Sequence, residues 1–329
     1  MSLLPRWSHF GLLLLATASL AAGLAAPPTA PPPTHCEILR RMSPALLHYH
    51  GSLTDAPDPA DAGYELGTAI KMAVAAAHGD EAMADYCWQA VDTTFAKQTK
   101  YGDFGGSPMS AAVWLGELGR SLLVIQQSPL AGHFKDRTEA LKPALGKAMH
   151  WLTNQRDRLL WEDRAVPDRL FAEAEAFLFL GRFLGDKALL KIGHTFLDTG
   201  MKTYRPADGA FVEKNGTDSD YQAPCLVRLQ EIMLNFPDVR LEEPVAKGVQ
   251  WQIGHINADG TVRSDAKPSF LSRSKMLMGK EKQVNVGEIS LALLYFHERT
   301  GDAPALAAVE RLQRHYAPTS AAATSPPSK

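Results

Sequence analysis

Three times in this chain a glycine and an aspartate separate two helix-forming segments: His78-Gly79-Asp80, Leu184-Gly185-Asp186 and Thr300-Gly301-Asp302. Glycine adopts the left-handed conformation that ends a helix, and the aspartate side chain caps the helix that follows. A break this short folds two helices back to back as an antiparallel hairpin. The surrounding pattern supplies the helices. Apolar residues recur at three- and four-residue spacing over 62–77, 81–97, 167–184, 187–203, 242–254, 287–299 and 303–315. Pro108 suits the first turn of a helix running to about Gln127, and further helices are expected over about 136–156 and from Ser219 to Asn235. The hairpins pair one very apolar helix with one amphipathic helix, which predicts two concentric layers. The expected fold is all-α: an α/α toroid, or incomplete α/α barrel, of about five helical hairpins. No alternating run supports a large sheet, and only short hairpins are expected at Asp208-Gly209 and Asp259-Gly260.

The ends read differently from the middle. Arg6, the apolar run from Leu12 to Ala22 and the small residues Gly23, Ala25 and Ala26 have the three parts of a secretory signal. The apolar run is shorter than the ~20 residues of a membrane-spanning helix. Residues 1–26 are therefore expected to be a cleaved signal peptide, and the mature protein to be periplasmic or secreted with no membrane segment. Prolines over 27–35 predict an extended linker, 36–316 the folded domain, and the Ala-, Pro-, Ser- and Thr-rich 317–329 a disordered tail. A net charge of −2 with 21% charged residues argues against a nucleic-acid partner. Export permits one disulfide among Cys36, Cys87 and Cys225, although Cys87 lies in an apolar helical pattern that would equally bury a thiol.

Polar clusters mark where chemistry is expected. The loop over 207–225 places Glu213, Lys214, Asn215, Asp218, Asp220, Tyr221 and Gln222 at the start of a helix. Helix capping accounts for one or two of its acids but not for Asn215, Tyr221 and Gln222 beside them. Trp161, Arg164 and Arg169 precede the most apolar helix, where an indole can stack on a sugar and a guanidinium can bind an acid. Glu173 and Glu175 lie within that helix, and a carboxylate there needs a partner or a task. Asp103 sits in a glycine-rich loop with Tyr101 and Phe104. The segment 264–283, with Lys267, Arg273, Lys275, Lys280 and Lys282, reads as a basic loop able to cover an anionic ligand. No metal-ligand spacing, phosphate loop or nucleophile elbow occurs, so no cofactor is expected. Asp and Glu of the 213–220 loop are nonetheless oxygen ligands of the kind Ca²⁺ takes.

The segment from Asp208-Gly209 through Glu213, Asn215, Asp218 and Asp220-Tyr221-Gln222 resembles a loop-to-helix segment of α/α-toroid carbohydrate-active proteins, the polysaccharide lyases of the alginate-lyase and heparinase type. The hairpin pattern over about 60–316 is similar to that architecture, while the Asn-Asn-His-Ser-Tyr-Trp motif of alginate lyases is absent. The resemblance implies an exported polysaccharide lyase acting by β-elimination on an acidic, uronic-acid-containing polysaccharide or oligosaccharide. It implies Tyr221 for proton transfer, Asn215 on the sugar carboxylate, Arg164 or Lys214 as cation, Asp218 and Asp220 beside them, and Trp161, Asp103, Glu173, Arg169 and Gln222 for substrate binding. Two alternatives stay open. One is a glycoside hydrolase on the same scaffold, using paired carboxylates such as Asp103 with Asp218 or Asp220. The other is a non-catalytic glycan-binding protein.

Overall fold

In a computed structural model, the described residues are 33–42, 66–213, 216–263, 276–277, 280–281 and 285–316. The expected signal peptide, residues 43–65, Lys214, Asn215, most of the basic segment and the tail lie outside them.

The described residues are mostly helical, with eleven α-helices. They are α1 (His35–Arg41), α2 (Leu66–His78), α3 (Glu81–Ala96), α4 (Pro108–Gln127), α5 (Ala131–Glu162), α6 (Pro167–Leu184), α7 (Lys187–Met201), α8 (Ser219–Asn235), α9 (Glu242–Gly254), α10 (Val286–Thr300) and α11 (Ala303–Tyr316). All three Gly-Asp breaks work as expected. Gly79, Gly185 and Gly301 have φ of 74°, 71° and 75°. Asp80, Asp186 and Asp302 then accept hydrogen bonds from the backbone N–H groups of Met83, Ala188 and Ala305 at 3.0, 2.7 and 2.8 Å. The chain reverses at each, joining α2 to α3, α6 to α7 and α10 to α11.

Two boundaries differ from expectation. Helix α5 runs from Ala131 to Glu162 and carries Pro143 inside it. Leu141, Leu145, Ala148, Met149, Leu152 and Leu159 form one buried stripe along it. Packing of that stripe outweighs the hydrogen bond the proline removes. At the other boundary, the folded unit already includes Thr34 and His35. Thr34 caps α1 in a reciprocal box with Glu37, and His35 is buried.

The even-numbered helices pack in chain order, α2 on α4, α4 on α6, α6 on α8 and α8 on α10. Each odd-numbered helix from α3 to α11 packs on the even-numbered helix before it in the chain. Helix α1 touches α2, α4, α8 and α10. The α6–α7 approach shows why small residues are needed there. A Cβ added at Gly193 would lie 2.6 Å from the Leu178 side chain, and one at Gly200 only 2.5 Å from the Phe171 ring. Buried Phe171, Phe177, Phe179 and Phe196 fill this core, each worth about 1.5–3 kcal/mol on removal from water.

Strand content is small. β1 (Tyr204–Arg205) pairs antiparallel with β2 (Ala210–Phe211) across Asp208-Gly209, and β3 (Met276–Leu277) with β4 (Lys280–Glu281). At Asp259-Gly260 the turn carries one isolated bridge, Ile256 to Val262. The three cysteines are free thiols, all buried, and burial pushes the Cys87 thiol up to about 12. No helix among the described residues is long and apolar enough to cross a membrane.

Candidate functional site

Polar residues on the even-numbered helices recur at a spacing of seven: Asp168 and Glu175 on α6, Tyr221 and Arg228 on α8, and Glu288 and Tyr295 on α10. Seven residues are nearly two helical turns, so each pair shares a helix face and is separated by roughly 10 Å along the axis. The first member of each pair stands in or near the first turn of its helix and is half-buried; of the second members Glu175 and Tyr295 are buried and the Arg228 side chain is 11% exposed.

The deep layer is a closed charge network. Arg120 on α4 is 1% exposed. It pairs with Glu117 at 2.6 Å and donates to Glu231 on α8. Arg228 donates to Glu175 at 2.7 Å and to Glu117 at 3.4 Å. The Tyr295 hydroxyl donates to Glu231 at 3.0 Å. That hydroxyl has one hydrogen, so His35 Nε2, 2.7 Å away, must be the donor to the tyrosine oxygen. His35 Nδ1 is then an acceptor, and the Asn235 amide faces it at 3.4 Å. Burial depresses His35 to about 3, so α1 brings a neutral imidazole to this network.

Three carboxylates meet two guanidiniums here, and one proton makes the group neutral. Burial raises Glu175 well above the usual carboxylate range and raises Glu117 as well. Burial would raise Glu231 too, but Arg120 and the hydrogen bond from Glu175 outweigh it and hold Glu231 low. The proton therefore resides mainly on Glu175, facing an ionised Glu231.

The outer layer is rich in acids. Asp218 caps α8, accepting from the Asp220 N–H at 2.9 Å. Asp220 accepts from the Asn285 N–H at 3.0 Å and so ties the start of α8 to the start of α10. Burial raises Glu288 to about 7, against the pull of Arg228, with Asp168, Glu117 and Asp220 adding to the rise. Burial also raises Asp168, opposed by Arg228 and Arg169. Arg169 itself donates to Asp163 at 3.0 Å. Glu173 is 0% exposed, and burial followed by the charge of Asp163 pushes it up to about 10, so it is a neutral acid.

The expected site residues divide accordingly. Asp218, Asp220, Tyr221, Arg169 and Glu173 all lie on or beside the starts of α6 and α8. Gln222 is buried there, but its carbonyl accepts from the Phe211 N–H at 3.0 Å and fastens the β1–β2 hairpin. Asp103 is engaged within its own loop, accepting from Thr99 and from the Gly105 N–H, and the Thr99 bond lowers its pKa first of all. Trp161 is 68% exposed at the end of α5, with the Arg164 guanidinium 4.1 Å from its ring centroid. Arg164 also donates to the Trp161 carbonyl, so its cation is held against that indole. Asn215 and Lys214 lie outside the described residues. Sequence reasoning misses Arg228, Glu288, Glu231, Glu117, Arg120, Tyr295 and His35, and does not single out Asp168. The seven-residue spacing on three helices is the signal that would find Asp168, Arg228, Glu288 and Tyr295. No family model, curated protein or solved structure matches this chain.

Proposed function

We propose that the five hairpins form an open α/α toroid whose mouth lies at the starts of the even-numbered helices, and that the protein is a glycoside hydrolase with Asp168 and Glu288 as its acid–base pair. The observation that carries this reading is the outer layer itself: two half-buried carboxyl groups with raised pKa stand at the starts of the two helices that pack against α8, above the buried ion pairs of Glu117, Arg120, Glu175, Arg228 and Glu231. Hydrolysis of a glycosidic bond requires a carboxylic acid that stays protonated near neutral pH and a second carboxylate. A group poised near 7, as Glu288 is, suits the acid. The substrate class, a glycan, comes from the resemblance of the 208–222 segment. The signal-like first 26 residues suggest that the reaction takes place in the periplasm or outside the cell.

The second reading is β-elimination from a uronic-acid glycan, with Tyr221 transferring the proton. Its support is that Tyr221 stands in the first turn of α8, which packs against the helices of Asp168 and Glu288. The carboxyl groups around it weigh against it, because Asp168, Asp218, Asp220 and Glu288 offer no cation to neutralise a uronate carboxylate.

One assay separates these readings. The purified protein is incubated with neutral, amino-sugar and uronic-acid glycans, and new reducing ends are counted alongside the ultraviolet absorbance of an unsaturated uronate. Reducing ends without absorbance, abolished by both Glu288→Gln and Asp168→Asn, support the hydrolase. Ends with absorbance, abolished by Tyr221→Phe, support the lyase. Binding without new ends refutes both and leaves a glycan-binding protein.

A further inference from the structure

We infer that Arg228 is a positioning residue of the proposed site: its guanidinium is clamped from below by Glu175 and Glu117 and presented as a fixed cation beneath Asp168 and Glu288. This rests on reading Asp168 and Glu288 as the acid–base pair. Arg228 sits two turns down α8 from Tyr221, and its side chain is only 11% exposed. Two carboxyl groups from two other helices, Glu175 of α6 and Glu117 of α4, hold one terminal nitrogen at 2.7 and 3.4 Å. A planar guanidinium held from two sides cannot swing as a lysine ammonium does. Arg120 takes up the third carboxylate, Glu231, and so keeps Glu231 from competing for Arg228.

The groups around the outer pair come from α4, α6, α8 and the loop before α8. Asp168 on α6, Glu117 on α4 and Asp220 on α8 push Glu288 up. Arg169 on α6 pulls Asp168 down, and Glu213 from the loop before α8 faces Arg169. Arg228 is the cation common to both members of the pair. Its orientation therefore decides how strongly each carboxyl is held in its charged form, and which of the two keeps the proton.

The test needs no substrate. Side-chain carboxyl carbons of Asp and Glu are labelled with ¹³C, and the titration midpoints of Glu288 and Asp168 are followed by NMR in the full chain. Arg228→Gln is expected to raise the Glu288 midpoint by about one pH unit or more, as loss of a close opposite charge does. Arg228→Lys keeps one cationic nitrogen, enough for Glu175 and Glu117, but loses the planar group that carries charge beyond that nitrogen, so it is expected to reproduce part of that rise. A Lys variant that titrates like the parent means that charge alone matters and overturns the positioning role. Absence of a shift in either variant overturns it too. Circular dichroism verifies folding, and Glu175→Met serves as a second probe because it leaves two carboxylates facing two guanidiniums. It removes the 2.7 Å contact and is expected to shift the Glu288 midpoint; an unchanged midpoint would refute the clamp. Because these midpoints are read without a glycan, a clamp that holds while the glycan assay fails refutes only the hydrolase reading.

Discussion

Replacing Arg120 by methionine tests the charge count at the centre of the protein. Arg120 is buried and engages Glu117 and Glu231. Without it, Glu117, Glu175 and Glu231 face the single guanidinium of Arg228, and a second carboxyl group must take up a proton. A carboxyl that ionises near 4.5 when unfolded costs about 1.36 kcal/mol per pH unit to keep protonated, or roughly 3.4 kcal/mol at pH 7. That agrees with the about 3–5 kcal/mol typical of breaking a buried ion pair. The sign is fixed by linkage. The folded-state pKa of that carboxyl is raised, so its contribution is fully present below about 4.5 and is lost as pH rises. Arg120→Met should thus cost less than about 1 kcal/mol of this term at pH 5 and the full amount at pH 7. Glu175→Gln is the counter-experiment. It replaces the protonated member by a neutral amide and leaves two carboxylates with two guanidiniums, so by the same linkage it removes the cost of keeping Glu175 protonated and should stabilise the protein more at pH 7 than at pH 5. Urea unfolding followed by circular dichroism at pH 5, 7 and 8 measures both. Equal losses in the two variants, or a loss in Arg120→Met that does not grow with pH, would refute the shared-proton network.

Other outcomes follow from the same geometry. Burial holds His35 neutral to about 3, so the unfolded chain binds a proton that the folded one refuses, and stability should fall as pH drops from about 6.5; acid unfolding of His35→Gln should show a shallower slope in that window. Glu173 is neutral in the fold up to about 10, which costs stability above about 4.5, so Glu173→Gln should stabilise the protein at pH 7 and not at pH 4 in thermal unfolding. If Glu288 is the acid, hydrolysis should decline as pH rises through about 7, and a pH–rate profile that is flat there excludes it. Gly200→Ala forces a methyl against the Phe171 ring and should cost about 1–3 kcal/mol in urea unfolding.

Local chemistry makes the helices legible in the chain itself. The Gly-Asp pairs, Pro108 and Pro167 at first helical positions, and the caps at Asp186 and Asp218 act within four residues, so the sequence alone determined where α4, α6, α7 and α8 begin and that the fold is all-α. Helix α5 is longer than its local pattern predicts because its extension past Pro143 depends on a stripe packed against other helices, which no local cue contains. Composition marks the polar loop before α8, and that loop leads into the first turn of α8 with Asp220 and Tyr221. Composition does not distinguish Tyr221, half-buried in the first turn of α8, from Arg164, which is held against Trp161. Only the tertiary structure decided that Glu117, Arg120, Glu175, Arg228, Glu231, Tyr295 and His35 meet. They come from five helices separated by up to 260 residues, and a charge inside an apolar helix shows its purpose only when its partner from another helix is in place. The raised carboxyls of Asp168 and Glu288 have the same origin, since desolvation and the nearness of Arg228 are properties of the packed protein and not of any segment of the chain.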